Sequence, residues 1–383
     1  MSVYLDYNSS APIDRRVLAK MVKIYEGPYG NADSRTHDFG TAANGIVEAA
    51  RAEVAELLSV AKDEVFFTSG ATESNNIAIQ GLSEYAEKTG KRHIISSSIE
   101  HKAIINTLKH MQERGFEVNF VSPELDGRVK AEKMLDLVRE DTLLVCLMHV
   151  NNETGIIQPI NEIGEESEKR GILFHTDATQ SAGKLVGQLK NCKYNMLSCS
   201  AHKFYGPQGI GALILKRKEY KIPPITPIMY GGQQEHGISP GTTPVALVAG
   251  FGKACENALK NYEAIEKKYR NIQIMILDVF NNSGLKYHIN GDISFCVPNT
   301  LNICIEGVSS EALMLSSKQY CGISNGSACT SKNYSHSYVL EAMGLSDDEM
   351  DSSIRVSWGE YVDINSIKDN IIELVNVAKG LVL

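Results

Sequence analysis

Between residues 60 and 215, short apolar runs alternate with helix-length stretches, and this alternation constrains the fold more than any other feature of the chain. The runs around Val65-Phe66-Phe67, His93-Ile94-Ile95, Ile172-Leu173-Phe174 and Met196-Leu197 are too short for buried helices and read as strands. Leu143 to Met148 is apolar almost without a break, the pattern of a strand covered on both faces, as in parallel sheets. Between Ala42 and Val60, apolar residues recur at 46, 47, 50, 54, 57 and 58, the spacing of an amphipathic helix. A further helix is expected from the Ser69-Gly70 turn toward Leu82, another from after Val121 to about Val138, and one closed by Gly171. The reading is an α/β fold built on a mostly parallel sheet.

Beyond Lys216 the pattern changes. Pro223, Pro224 and Pro227 lead to a polar Gly-rich stretch, Tyr230 to Gly237, and then to a long helical stretch reaching about Asn281. Short strands mixed with helices follow, as in a smaller α+β unit. A chain of 383 residues has length enough for two cores. The expected division is a large domain over 15–260 and a small domain made of 1–14 with 261–383.

Composition narrows the function. A net charge of −8, from 38 Lys and Arg against 46 Asp and Glu, argues against direct nucleic-acid binding, which needs clustered cations. The start, MSVYLDYNSSAPIDRR, has no apolar stretch after a basic region, so no secretory signal is expected, and no run reaches transmembrane length. Eight cysteines, at 146, 192, 199, 255, 296, 304, 321 and 329, form no C-x-x-C pair and no zinc-type spacing. No metal site and a reducing compartment, the cytoplasm, are therefore expected.

The chemistry gathers where strands stop. One strand runs out at His175-Thr176-Asp177-Ala178-Thr179-Gln180 and the next at Ser200-Ala201-His202-Lys203, before the Gly206-Pro207 turn. In an open α/β sheet the ligand crevice lies outside the carboxyl ends of the strands, which brings Asp177 and Lys203 to one place. A carboxylate that can face a ring nitrogen and an amine that can form an imine are what pyridoxal phosphate requires. Taken singly, the Asp also reads as a helix cap and the Lys as a surface residue. Ser69-Gly70-Ala71-Thr72, a glycine turn between strand and helix, offers backbone N–H groups to a phosphate, though a plain N-cap looks alike. No GK[ST] follows it and no G-x-G-x-x-G follows a strand, which disfavours nucleotide folds. Cys329 sits among small polar residues, Gly326 to Ser331, where an exposed cysteine can also be incidental.

Assembled in order, these motifs resemble the cysteine desulfurase family of the class-V aminotransferase group. They are Tyr4-Leu5-Asp6, Gly30 to His37, Ser69 to Asn75, Glu100-His101-Lys102, Asn151-Asn152-Glu153-Thr154-Gly155, His175 to Gln180, Ser200 to Lys203, Gly326 to Ser331, and Ile354 to Ser357. The resemblance implies the pyridoxal-phosphate transferase fold of type I, a large domain with a mostly parallel sheet plus a smaller α+β domain. It implies that Lys203 holds the cofactor as a Schiff base and shuttles protons, that Asp177 pairs with the ring nitrogen, and that Gln180 and Asn152 lie near the phenolic oxygen. His101 would stack on the ring. Ala71, Thr72, Ser200 and His202 would bind the phosphate, with Thr242 reaching it from the second subunit of a homodimer. Asn31 and Arg355 would hold the carboxylate of L-cysteine. Cys329 would take the sulfur as a persulfide, releasing alanine, and pass it to an acceptor protein, whether for iron–sulfur assembly, tRNA thiolation or DNA sulfur modification. The length of the cysteine loop resembles the group in which that arm moves.

Two departures stand out. Ser239, beside Pro240, occupies the place where relatives usually carry an Arg before Gly241-Thr242. Members that dock an iron–sulfur scaffold through a C-terminal tail run on beyond the point matching Leu383, which makes that partnership less secure and leaves sulfur delivery to tRNA- or DNA-modifying proteins open. Of the competing readings, a transaminase of the same fold needs no cysteine in this loop. A non-catalytic adaptor sits badly with Lys203, Asp177, His101, Cys329 and Arg355 all in place. A thiol hydrolase pairing Cys329 with His336 lacks an evident orienting third group.

Overall fold

The computed structural model describes residues 2–326 and 336–382. After a two-residue strand β1 (Val3–Tyr4), seven strands build the main sheet: β2 (Val65–Thr68), β3 (His93–Ser97), β4 (Glu117–Val121), β5 (Thr142–Cys146), β6 (Leu173–Asp177), β7 (Met196–Ser200) and β8 (Gly211–Leu215). Their spatial order is β2-β8-β7-β6-β5-β3-β4. All neighbours are parallel except β8, which runs antiparallel to both β7 and β2. Every residue of β2, β3, β5, β7 and β8 is buried, the reason these strands read as apolar runs rather than alternating ones.

The second layer of structure is smaller. β9 (Tyr287–Ile289), β10 (Thr300–Ile305) and β12 (Ser353–Ser357) make an antiparallel sheet in the order β12-β10-β9, and β11 (Cys321–Gly322) pairs with β1. The long helix Val245–Asn281 runs through both cores: Val248, Phe251 and Cys255 pack in the core under the main sheet, while Tyr269, Ile272, Ile276 and Phe280 pack with Leu301, Ile303, Ile354 and Trp358. Burying an apolar side chain of that size contributes roughly 1.5–3 kcal/mol. One continuous helix with apolar faces in both cores therefore resists bending between them.

Local expectations differ from the structure in places. The helix expected to run to about Val138 is one short turn, Ala131–Leu135, because Asp136 to Glu140 carries too little apolar surface to hold it on the core. Residues 15–26, given no element above, form a helix capped by Asp14. Among the described residues no helix is long and apolar enough to cross a membrane, and no cluster of His, Cys, Asp and Glu has metal-binding geometry.

Candidate active site

The carboxyl ends of β2, β3, β5, β6 and β7 open onto one edge of the sheet, and a cavity of about 500 Å³ lies there. Ala71, Thr72, His101, Asn152, Asp177, Gln180, Ser200, His202, Lys203 and Arg355 all line it. Asn31 and Thr242 do not: both are exposed, and Asn31 Oδ1 accepts from the amide of Asp33 at 2.9 Å. Cys329 lies outside the described residues.

Asp177 is the last residue of β6 and is nearly buried. Each oxygen of its carboxylate has a donor, the Thr179 amide at 2.9 Å on Oδ1 and Asn75 Nδ2 at 2.8 Å on Oδ2. Two donors on two oxygens fix the plane of the group. Lys203 closes the short helical turn after β7, and its Nζ donates to the carbonyls of Asn8 and Ser9, both at 2.7 Å. Gln180 Nε2 donates to the same Asn8 carbonyl at 2.8 Å, and Lys184 Nζ reaches Gln180 Oε1 at 3.4 Å. Burial, with Lys203 nearby, lowers the Lys184 pKa to about 7.

His101 opens to the cavity but is ringed by protein atoms. It caps the helix Lys102–Glu113, its Nδ1 accepting from the Ala103 amide at 3.1 Å. Desolvation lowers its pKa against the opposing field of Asp177, and Lys203 and Lys102 lower it further. A neutral ring whose Nδ1 is an acceptor carries its proton on Nε2. His202 is likewise held neutral, its pKa lowered to about 4 by burial and by Lys203 and Lys184.

The anion end of the cavity is formed by the helix Ala71–Gln80, whose N-terminus has no side-chain cap. Gly70 there has φ +149°, and a Cβ on it would approach Ser200 Oγ to 3.7 Å. The opposite end belongs to Arg355, in β12, whose side chain is only 2% exposed. A buried guanidinium needs partners. Nη2 donates to Asp6 Oδ1 at 2.6 Å and Nη1 to the Asn152 carbonyl at 2.9 Å.

The cavity fits a ligand with a polar ring, a phosphate and a carboxylate. Three buried atoms on its lining residues, Asn152 Oδ1, Thr179 Oγ1 and Arg355 Nε, have no hydrogen-bond partner among the described residues. Such orphans are costly unless a ligand or water meets them. Sequence reasoning missed Asn8, Ser9, Asn75 and Asp6 as contributors. Of these, Asp6 and Asn75 fell inside quoted motifs without a role. The reading that His336 lacks an orienting group is corrected: Asp351 Oδ1 lies 3.1 Å from its Nε2 and Asp347 Oδ1 3.4 Å from its Nδ1. With a carboxylate on each ring nitrogen, His336 is poorly set up as a base for a thiol.

The sequence matches the family described as aminotransferase class-V over residues 3–369. It is 42% identical over 382 residues to a cysteine desulfurase IscS of Pectobacterium carotovorum, covering 99% of this chain and 93% of that one. Among solved structures, a NifS-like protein superposes with a TM-score of 0.90 at 34% identity, covering 100% of both chains. A structure of SspA in complex with cysteine superposes with a TM-score of 0.82 at 32% identity, covering 94% of this chain and 99% of that one. The chain belongs to the cysteine desulfurase family of class-V aminotransferases. This desulfurase has the type I fold expected of it, and like its family it depends on pyridoxal phosphate. In the desulfurase, Ser239 donates to Glu73 Oε1 at 2.7 Å, so the position where relatives usually carry an Arg is tied to the rim of the anion end by a neutral hydroxyl.

Proposed function

We propose that this desulfurase converts L-cysteine to L-alanine with Lys203, His101 and Cys329 as its catalytic residues, and hands the sulfur from Cys329 to an acceptor protein. The observation that carries this reading is the convergence of Asp177 and Lys203, from neighbouring strand ends, on the cavity that also holds the buried guanidinium of Arg355. Pyridoxal phosphate, when bound, supplies an electron sink for the substrate α-carbon. Asp177, oriented by Asn75 and Thr179, would face the ring nitrogen, and Gln180 and Asn152 the phenolic oxygen. Ala71, Thr72, Ser200 and His202 would hold the phosphate, joined by Thr242 of a second subunit.

Arg355, with Asn31, would hold the substrate carboxylate, and the orphaned Nε is a donor suited to it. Lys203 would move protons at the α-carbon and His101 would lie against the ring. Cys329, as thiolate, would attack the sulfur of the bound cysteine. A sulfur–sulfur bond forms, the carbon–sulfur bond breaks, and the electron pair left on carbon takes up a proton to give alanine. The other cysteines are poor alternatives. Cys146, Cys192, Cys199, Cys255, Cys296, Cys304 and Cys321 are all buried. Burial pushes the thiols of Cys192, Cys199, Cys296 and Cys321 up to about 12.

The division into a large domain over 15–260 and a small domain of 1–14 with 261–383, the homodimer and a cytoplasmic location belong to the same proposal. The net acidic charge supports a partner other than nucleic acid, and no membrane partner is proposed. The test is turnover of L-cysteine with alanine and persulfide as products. Cys329→Ala should keep the yellow cofactor band and lose sulfur transfer, whereas Lys203→Ala should lose both. Retention of full sulfur transfer by Cys329→Ala, or a colourless Cys329→Ala, would overturn the assignment.

A further inference from the structure

The N-terminal segment enters the cavity in a way that neither the family motifs nor the strand ends explain. Asn8 and Ser9 line the cavity, and their two carbonyls receive the Lys203 amine at 2.7 Å each. Two acceptors set about one nitrogen fix two of its tetrahedral directions and with them the direction of the remaining one. Carbonyl oxygens fix the direction of a donor only when their segment is itself held, and here it is. The Asn8 amide donates to Ser357 Oγ at 3.0 Å, at the end of β12. Asn8 Nδ2 donates to Thr300 Oγ1 at 2.9 Å, at the start of β10, and to the Asn152 carbonyl at 3.2 Å. Two residues earlier, Asp6 carries the ion pair to Arg355, and Arg355 Nη1 shares the Asn152 carbonyl with Asn8.

We infer that the Asn8–Ser9 segment, through its two carbonyls, is the cradle that orients the Lys203 amine, and that Asn8 is the positioning residue that sets it. The inference rests on Lys203 being the cofactor-bearing lysine. The lysine side chain is long and flexible and loses up to about 2 kcal/mol of rotamer freedom when fixed, so a long arm without a cradle points anywhere. Here the cradle is anchored by β10 and by β12, the strand that carries Arg355, as well as by Asn152 and Gln180, which follow main-sheet strands. The stretch from Asp6 to Ser9 thus touches the group that would hold the substrate carboxylate and the group that would move its proton. Asn8 acts through a carbonyl and not through its side chain, which holds the peptide in place.

The test uses Asn8→Ala, which removes the bonds to Thr300 and Asn152, and Ser357→Ala, which removes the acceptor of the Asn8 amide. Capture of pyridoxal phosphate by each apoprotein, followed by the rise of the yellow band, is expected to slow, by about tenfold for Asn8→Ala and less for Ser357→Ala. In the loaded enzymes kcat falls in the same order while KM for L-cysteine stays within about twofold, since Arg355 keeps its partners. Capture and kcat both unchanged, or faster capture, would overturn the cradle. So would parallel losses of kcat, KM and Tm in both variants, which mark a merely structural segment. Failure of the wild-type protein to take up the cofactor would instead refute the role of Lys203 on which the inference stands.

Discussion

Gly326→Ala tests the geometry on which the cysteine-bearing segment stands. Gly326 has φ +81°, and a Cβ there would lie 2.5 Å from Glu153 Oε2 and 3.0 Å from its Cδ. That carboxylate cannot simply step aside. Glu153 is 3% exposed, and its Oε2 accepts from Ser337 Oγ, the cap of the helix Tyr338–Ala342. Glu153 thus lies beside Gly326 and bonds Ser337, one described residue on each side of positions 327–335. Placing an L side chain in the left-handed region costs about 1–2 kcal/mol. Breaking the bond to Ser337 and leaving a buried polar group unmet adds about 1–3 kcal/mol. The expected loss is about 2–5 kcal/mol, a fall of several degrees in Tm by calorimetry. Because the residues flanking Cys329 lose their common anchor, cysteine turnover should fall about ten- to a hundredfold. The cofactor band should persist, since the hydrogen bonds described for Asp177 and Lys203 run to Asn75, Thr179, Asn8 and Ser9. Glu153→Gln keeps an acceptor for Ser337 and should be milder than Glu153→Ala. A Gly326→Ala protein with Tm within about 1 °C of wild type and unchanged turnover would refute the reasoning.

Two further outcomes follow from the electrostatics of the same edge. Glu100, fully buried beside His101, has its pKa raised from 4.5 to about 8 by desolvation, against donors from Ser97 Oγ and the Met148 amide. The folded chain keeps that proton over a range where the unfolded chain has lost it, so the contribution is whole below the unfolded value and is lost as pH rises through about 8. Glu100→Gln should flatten the fall of Tm between about pH 5 and pH 8, and an equally steep fall in the variant would show that Glu100 does not hold the proton. Asn75→Ala removes the donor on Asp177 Oδ2 and should weaken pyridoxal phosphate binding about tenfold, read by absorbance titration of the apoprotein. An unchanged Kd would mean that the Thr179 amide alone orients the carboxylate.

Much of this protein was determined by its sequence alone. β3 spans the residues its apolar run marks, β6 ends at Asp177 and β7 at Ser200, and the long helix stops at Asn281 where the pattern does. Strand and helix periods are local, and turn chemistry marks where each run stops, so they survive in one dimension. For the same reason Asp177 and Lys203 could be named from strand ends before any contact was known. Tertiary structure decided what no period encodes. The direction of β8 is one such case: its apolar run reads alike in either direction, and only pairing with β7 and β2 sets it antiparallel. The contacts made by Asn8, Ser9 and Asp6 are another. Lys203 meets the Asn8 carbonyl across 195 positions of chain, and Arg355 meets Asp6 across 349. Hydrogen bonds over such separations exist only once two cores have packed, so the sequence supplies the groups but their meeting belongs to the folded chain.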